Sequence, residues 1–276
     1  MISVAELLAA SGLPVTEGRL LLAHAVHANR AWVMAHGDDP MPDARAHEIE
    51  ALFARRRAGE PMAYIIGERE FYGLSLRVNA SVLIPRPETE LVVEQVLLLL
   101  RGRPAPRVLD LGTGSGAIAV AIAHERSDGE VWASDASADA LAVASANASR
   151  HGVALRLVRG DWLSAIGDER FDVIASNPPY VADGDRHLAE GDLRFEPRAA
   201  LVGGADGLDC IRQIAAVARA RIVPGGWLIF EHGCDQGPAC VELLLGLGYV
   251  SVSDTPDLSG LPRVCRGQID ARAARE

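Results

Sequence analysis

The chain has 276 residues, 49% hydrophobic and 23% charged, which suffices for one or two globular domains with a real core. Its 27 basic residues, all arginine, are outnumbered by 37 acidic ones, and the net charge of −10 argues against a broad phosphate-tracking surface. Cys210, Cys234, Cys240 and Cys265 lack the paired spacing of a zinc site or a disulfide framework, and the eight histidines do not cluster, so no metal is expected. The first residues lack the basic start and apolar centre of a signal peptide, and the run at residues 96–100 falls far short of a membrane span; a cytoplasmic protein is expected.

Residues 1–58 read as short helices of a small bundle. Leu7-Leu8 and Leu20-Leu21-Leu22 supply apolar faces, and Ile49, Leu52 and Phe53 follow helical spacing after a cap signal at Asp43. Arg55-Arg56-Arg57 is a candidate basic patch, but arginines in a last helical turn also complement the macrodipole, with Gly59 and Pro61 as stop signals. The alternation of Phe71, Leu74, Leu76 and Val78 around Gly73 predicts a hairpin, and Pro87, Glu88 and Glu90 open a helix to about Leu100.

From Arg107 onward strands and helices alternate, which implies right-handed βαβ units and a parallel sheet. The first strand runs into Gly112-Thr113-Gly114-Ser115-Gly116, and a helix over about 117–124 follows. The glycines permit a tight turn and close approach to a ligand at a helix N-terminus. Asp135 ends the second strand nineteen residues after Gly116, where a carboxylate can accept from both hydroxyls of a ribose. This pattern also satisfies the relaxed dinucleotide fingerprint, so it does not select one cofactor.

Ser137 caps a helix ending near Gly152, and the third strand, residues 155–160, ends in Asp161-Trp162, an acid and an indole suited to adenine. The fourth, residues 171–176, ends in Asn177-Pro178-Pro179-Tyr180. The prolines stiffen this loop, leaving an Asn amide, carbonyls and a Tyr ring: the Asn177 oxygen and the Pro178 carbonyl can accept both N–H bonds of a planar amino group while Tyr180 covers its face. Read alone, the tetrapeptide is equally well an ordinary turn. Residues 181–206 form a long irregular stretch able to close over a substrate. A helix at 208–222, a strand at 226–231, a helix at 241–247 and strands at 249–253 and 263–270 complete the chain. The last two lack an intervening helix and should pair antiparallel at the sheet edge.

The order of these motifs resembles the S-adenosylmethionine-dependent methyltransferases that act on planar amino nitrogens. Residues 61–73 (PMAYIIGEREFYG), 83–90 (LIPRPETE), 191–197 (GDLRFEP), 203–209 (GGADGLD) and 224–233 (PGGWLIFEHG) most resemble the protein-(glutamine-N5) methyltransferases that modify peptide chain release factors. The resemblance covers about residues 60–270. It implies an α/β fold, a seven-stranded Rossmann-like methyltransferase sheet with a small N-terminal helical domain joined by a β-hairpin. The divisions expected are 1–67 for recognition of the substrate, 68–82 for the hairpin linker and 83–276 for the methyltransferase domain. It further implies S-adenosyl-L-methionine held by Gly112, Thr113, Gly114, Ser115, Gly116, Asp135, Trp162 and Asn177. Catalysis falls to Asn177, Pro178 and Tyr180, with Pro179 joining them against the glutamine amide of a Gly-Gly-Gln motif. Methylation there modulates translation termination. The expected partner is a release factor, with no stable nucleic-acid or membrane binding, and the enzyme is expected to be a monomer. Competing readings are an amino-methyltransferase of DNA or RNA, a nicotinamide dehydrogenase, which leaves Asn177–Tyr180 unexplained, and a non-catalytic binder.

Overall fold

The structure, a computed structural model, describes residues 1–271. By its internal contacts the chain divides into one unit of residues 1–68 with 189–195, and a second of residues 69–188 with 196–276.

The first unit holds helices α1 (Val4–Ala10), α2 (Val15–Ala25), α3 (Arg30–Ala35), α4 (Asp43–Arg57) and α5 (Met62–Ile66), with a short antiparallel pair, β1 (Ile2–Ser3) and β2 (Pro40–Met41). A reciprocal capping box starts α1: the Glu6 amide donates to the Ser3 hydroxyl at 3.2 Å, and the Ser3 amide to the Glu6 carboxylate at 2.8 Å. Leu21, Leu22, Ile49 and Phe53 are fully buried and form the centre of a core with Val4, Val33 and Ile65. The expected cap at Asp43 is corrected by one position. Asp43 is the first helical residue, Pro42 occupies the cap, and no side chain bonds there. Proline tolerates that place because its missing N–H would have had no partner.

The three arginines in the last turn of α4 are all engaged within this unit. Arg55 pairs with Glu60 at 2.6 Å, Arg56 with Glu17 at 2.8 Å, and Arg57 donates to the Ser11 carbonyl at 2.8 Å. Arg56 also reaches Asp192 at 3.3 Å, and Arg194 donates to the Ala58 carbonyl at 2.9 Å. These pairs attach residues 189–195 to the helical unit.

Strands β3 (Glu68–Phe71) and β4 (Leu74–Arg77) form the expected hairpin. Tyr72 and Gly73 at its tip have φ of +52° and +73°, the two positive angles of a tight turn that matches strand twist. In the second unit, Phe71, Leu74 and Leu76 are buried with Val92, Val93 and Val96 of α6 (Glu90–Leu99).

The large sheet contains β5 (Arg107–Leu111), β6 (Glu130–Asp135), β7 (Arg156–Arg159), β8 (Phe171–Ser176), β9 (Ile222–Glu231), β10 (Val250–Pro256) and β11 (Pro262–Gln268). Their order is β7-β6-β5-β8-β9-β11-β10. The first five are parallel, and β11 and β10 are antiparallel at one edge, as the missing helix between them implied. Strand alternation sends Val108, Val173 and Ala175 into one core with α6 and α7 (Ala117–Glu125). Leu109, Leu111, Ile174 and Phe230 enter another with α9 (Asp209–Ala218) and α10 (Gly237–Gly246). Helix α8 (Ala138–Arg150) follows β6, with the Ser137 hydroxyl accepting from the Ala140 amide at 3.1 Å. From β5 the chain adds β6 and β7 on one side, then crosses back from β7 to place β8 on the other side of β5, so the sheet order reverses between β5 and β8. That switch point is where open α/β sheets bind ligands. No described helix is long and apolar enough to cross a membrane.

Candidate active site

A cavity of about 560 Å³ opens at the carboxyl ends of β5, β6 and β8. Gly112, Thr113, Gly114, Ser115, Asp135, Asp161, Trp162, Asn177 and Pro179 all line it, so motifs spread over 68 residues of sequence meet around one space. Gly116, Pro178 and Tyr180 are not part of the wall. Pro178 is buried, and Gly116 serves packing: a Cβ there would lie 3.0 Å from that of Ala144 in α8. Gly112 is needed for its backbone, whose φ of +68° lies in the left-handed region, while a Cβ there would only touch the Trp162 ring at 3.4 Å. Trp162 itself adopts a left-handed backbone (φ +46°), unusual for so bulky a residue and held by the fold at the cavity edge.

Asp135 is tied down through both carboxylate oxygens. One accepts from the Gly114 amide and the other from the Ser137 amide, each at 2.9 Å. It therefore fixes the glycine loop as well as facing the cavity with its remaining lone pairs. Beneath the loop, Asp110 is buried and accepts from the Thr113 hydroxyl at 2.6 Å. Burial pushes its carboxyl up to about 7, the Thr113 bond opposes this, and the nearby Asp135 charge adds to it.

The Asn177–Tyr180 loop is held on its inner side by two residues that sequence reasoning gave no role. The Asn177 Nδ2 donates to the Thr89 hydroxyl at 3.0 Å, and that hydroxyl donates to Glu231 Oε2 at 2.6 Å. The Tyr180 hydroxyl donates to Glu231 Oε1 at 2.9 Å. With its nitrogen committed to Thr89, the amide of Asn177 has Oδ1 left as an acceptor. Glu231 is buried at the end of β9. Burial pushes its pKa up, against the two hydroxyl bonds and the charge of Arg263. Burial and the Glu231 charge likewise push the Tyr180 hydroxyl well up, so it stays protonated as a donor. Thr89 and Glu231 lie inside the segments 83–90 and 224–233, which was the signal that could have found them.

On its outer side the loop is gripped through backbone. Val181 donates to the Leu201 carbonyl and Gly203 to the Val181 carbonyl, each at 2.9 Å, while Gln236 reaches the Tyr180 carbonyl at 3.0 Å. A Cβ at Gly203 would stand 2.4 Å from the Pro179 oxygen, and one at Gly207 2.2 Å from that of Tyr180. Only glycine permits that approach. Residues 181–206 are thus less irregular than expected: three short 3₁₀ turns and a parallel bridge between Val181 and Val202 order them. Buried Glu196 accepts from the Ile84 amide at 3.1 Å and pairs with Arg86, and the neighbouring Pro197, Ala199 and Ala200 complete the cavity wall.

The family model described as PrmC N-terminal domain matches residues 2–67, and that described as Methyltransferase small domain matches residues 89–193. The release factor glutamine methyltransferase of Bordetella pertussis (strain Tohama I) is 50% identical over 265 residues, covering 96% of this chain and 98% of its own. The chain belongs to the release factor glutamine methyltransferases. The enzyme of that name from Escherichia coli (strain K12) is 41% identical over 262 residues, covering 95% of this chain and 94% of its own. Among solved structures, a methyltransferase from Pyrococcus furiosus aligns with a TM-score of 0.55 at 20% identity, over 79% of this chain and 97% of its own. A 16S rRNA N2 G1207 methyltransferase from T. thermophilus, in complex with AdoMet and guanosine, gives 0.55 at 20% identity, over 73% of this chain and 49% of its own. These likenesses establish the Rossmann-like methyltransferase fold, as the sequence implied. Family membership sets aside the dehydrogenase reading, and the nucleic-acid alternative is not favoured.

The cofactor of this family of methyltransferases is S-adenosyl-L-methionine. The cavity fits it. Gly112 and Gly114 leave room against the start of α7, Asp135 offers carboxylate lone pairs, and Trp162 presents an aromatic surface. Among the described residues no group of three or more His, Cys, Asp or Glu could hold a metal ion.

Proposed function

We propose that this enzyme methylates the side-chain amide nitrogen (N5) of the glutamine in the Gly-Gly-Gln motif of peptide chain release factors, with Asn177 as the acceptor at the reacting nitrogen. The observation that carries the assignment is the Asn177 amide: its Nδ2 is bound to Thr89 at the wall of the cavity that also holds the glycine loop and Asp135. When bound, S-adenosyl-L-methionine supplies an electrophilic methyl group on a sulfonium.

An amide nitrogen is a weak nucleophile because its lone pair is conjugated into the carbonyl. Asn177 Oδ1 and the Pro178 carbonyl accept its two N–H bonds, draw off positive charge as the nitrogen rehybridises, and aim the lone pair. One N–H proton must leave as the nitrogen gains the methyl group. Once the nitrogen carries positive charge that proton is acidic enough to pass to water, so no charged base is needed, and catalysis is mainly alignment and electrostatic complementarity. Pro179 and Tyr180 complete the glutamine subsite, with Tyr180 braced by Glu231. Thr113, Ser115 and Gly116 shape the cofactor loop around Gly112 and Gly114, Asp135 takes the ribose, and Trp162 with Asp161 takes the adenine.

Residues 1–67 act as the recognition domain, residues 68–82 as the linker, and residues 83–276 carry the chemistry. The enzyme works as a cytoplasmic monomer, binds no nucleic acid stably, and through its product modulates translation termination. Transfer of labelled methyl groups tests the reading: label is expected in a release factor and absent from DNA and RNA offered at equal concentration. Label in nucleic acid alone would overturn it.

A further inference from the structure

An asparagine amide has two ends of nearly equal shape and opposite hydrogen-bonding character, and a half-turn about its last bond exchanges them. The chemistry above needs the oxygen toward the substrate. What decides the orientation here is a hydroxyl with a single proton. Thr89 gives that proton to Glu231 Oε2 at 2.6 Å, so toward Asn177 it can offer only lone pairs, and Asn177 answers with Nδ2 at 3.0 Å. Without the carboxylate the hydroxyl could turn and donate to Oδ1, and both orientations of the amide would be satisfied equally.

The same carboxylate holds the other end of the loop, since its Oε1 accepts from the Tyr180 hydroxyl at 2.9 Å. A buried carboxylate, 1% exposed in Glu231, is costly unless its oxygens are hydrogen-bonded. Here each oxygen takes one hydroxyl, and both hydroxyls belong to residues that touch the catalytic loop or form part of it.

We propose that Glu231, acting through the Thr89 hydroxyl, is the positioning residue that fixes which end of the Asn177 amide faces the cavity. The relay runs from carboxylate to hydroxyl to amide, and it rests on the reading of Asn177 as the acceptor at the reacting nitrogen. Thr89 and Glu231 come from opposite parts of the sequence, 142 residues apart, and meet only in the fold.

The test is single-turnover methylation of a release factor by the full-length enzyme with labelled S-adenosyl-L-methionine, alongside calorimetry of cofactor binding. Thr89→Val and Glu231→Gln should slow the step by about 10–100-fold, the range found when the hydrogen-bonding partner that orients a metal ligand is removed. Cofactor affinity should fall far less than the rate does. Thr89→Ser keeps the hydroxyl and should recover most of the rate lost in Thr89→Val. In an Asn177→Ala background Thr89→Val should cost nothing further, because its effect passes through the amide that is gone. Wild-type turnover in Thr89→Val, equal losses in Thr89→Ser and Thr89→Val, or an undiminished loss in the Asn177→Ala background would each overturn the relay. Should Glu231→Gln fail to fold, the Thr89 variants still decide. Wild-type turnover in Asn177→Ala would instead remove the reading on which the relay rests.

Discussion

At the scale of single residues, Asn177 concentrates the account. Asn177→Ala removes the side-chain acceptor while the prolines and the Gly203–Gly207 turn still shape the loop, and loss of one such preorganised partner costs about 10²–10³ in kcat. Asn177→Asp preserves shape but should fare no better. One of its oxygens would face the Thr89 hydroxyl, whose proton is already given to Glu231, and its charge would lie close to a buried carboxylate. Single-turnover rates decide, and wild-type turnover by the Asp variant would contradict the proton arrangement described. Asn177 is singled out in sequence because its tetrapeptide follows an apolar strand, where open α/β sheets place their ligands. The roles of Thr89 and Glu231 were not legible: both lie inside the segments 83–90 and 224–233, but neither adjoins the loop in sequence and they meet only in the fold.

Elements carry the cofactor side. The glycine loop is held from above by Asp135 and from below by the Asp110–Thr113 bond. Asp135→Ala should therefore lower the melting temperature as well as the affinity for S-adenosyl-L-methionine. The Gly114 and Ser137 amides that donate to it give Asp135 this structural part. Each charge-assisted bond to ribose is worth about 1.5–3 kcal/mol, so calorimetry should show at least a tenfold loss of affinity. Unchanged affinity would remove Asp135 from the site.

Asp110 makes a pH-dependent contribution. Its carboxyl is pushed up to about 7 in the fold against an ordinary value of 3.8, so between those values the native state binds a proton that the unfolded chain has released. Stability from this group is thus highest below the unfolded value, falls as pH rises through the window, and levels off above it. The melting temperature of the wild type minus that of Asp110→Asn, followed from pH 4 to 8 (about the span of the two values), should fall until about pH 7. A difference that rises with pH would contradict the burial argument. The parallel order of the strands and the antiparallel edge were readable from strand–helix alternation. The ordering of residues 181–206 was not, because backbone contacts with glycines at 203 and 207 produce it.

For the whole molecule, the proposed division of labour gives recognition to the helical unit and chemistry to the sheet unit. Every described residue of the cavity wall belongs to the sheet unit, which leaves the helical unit free for recognising a protein. Deleting residues 1–60 should spare cofactor binding and abolish methylation of the release factor. The truncation also strips Asp192 and Arg194 of their partners Arg56 and Ala58, so residues 189–195 lose their anchorage with it. A truncated enzyme that methylates at the full rate would end the recognition role. The helical character and apolar faces of the first sixty residues were visible in sequence. The attachment of residues 189–195 was not, because it depends on an ion pair and a hydrogen bond to a backbone carbonyl, each spanning 136 positions.

The most direct measurement is peptide mapping by mass spectrometry of a release factor incubated with the enzyme and S-adenosyl-L-methionine. The mass of one added methyl group is expected on the glutamine of the Gly-Gly-Gln motif with the wild type, and almost none in the same time with Asn177→Ala. A methyl group on another residue, or equal modification by both enzymes, would contradict it.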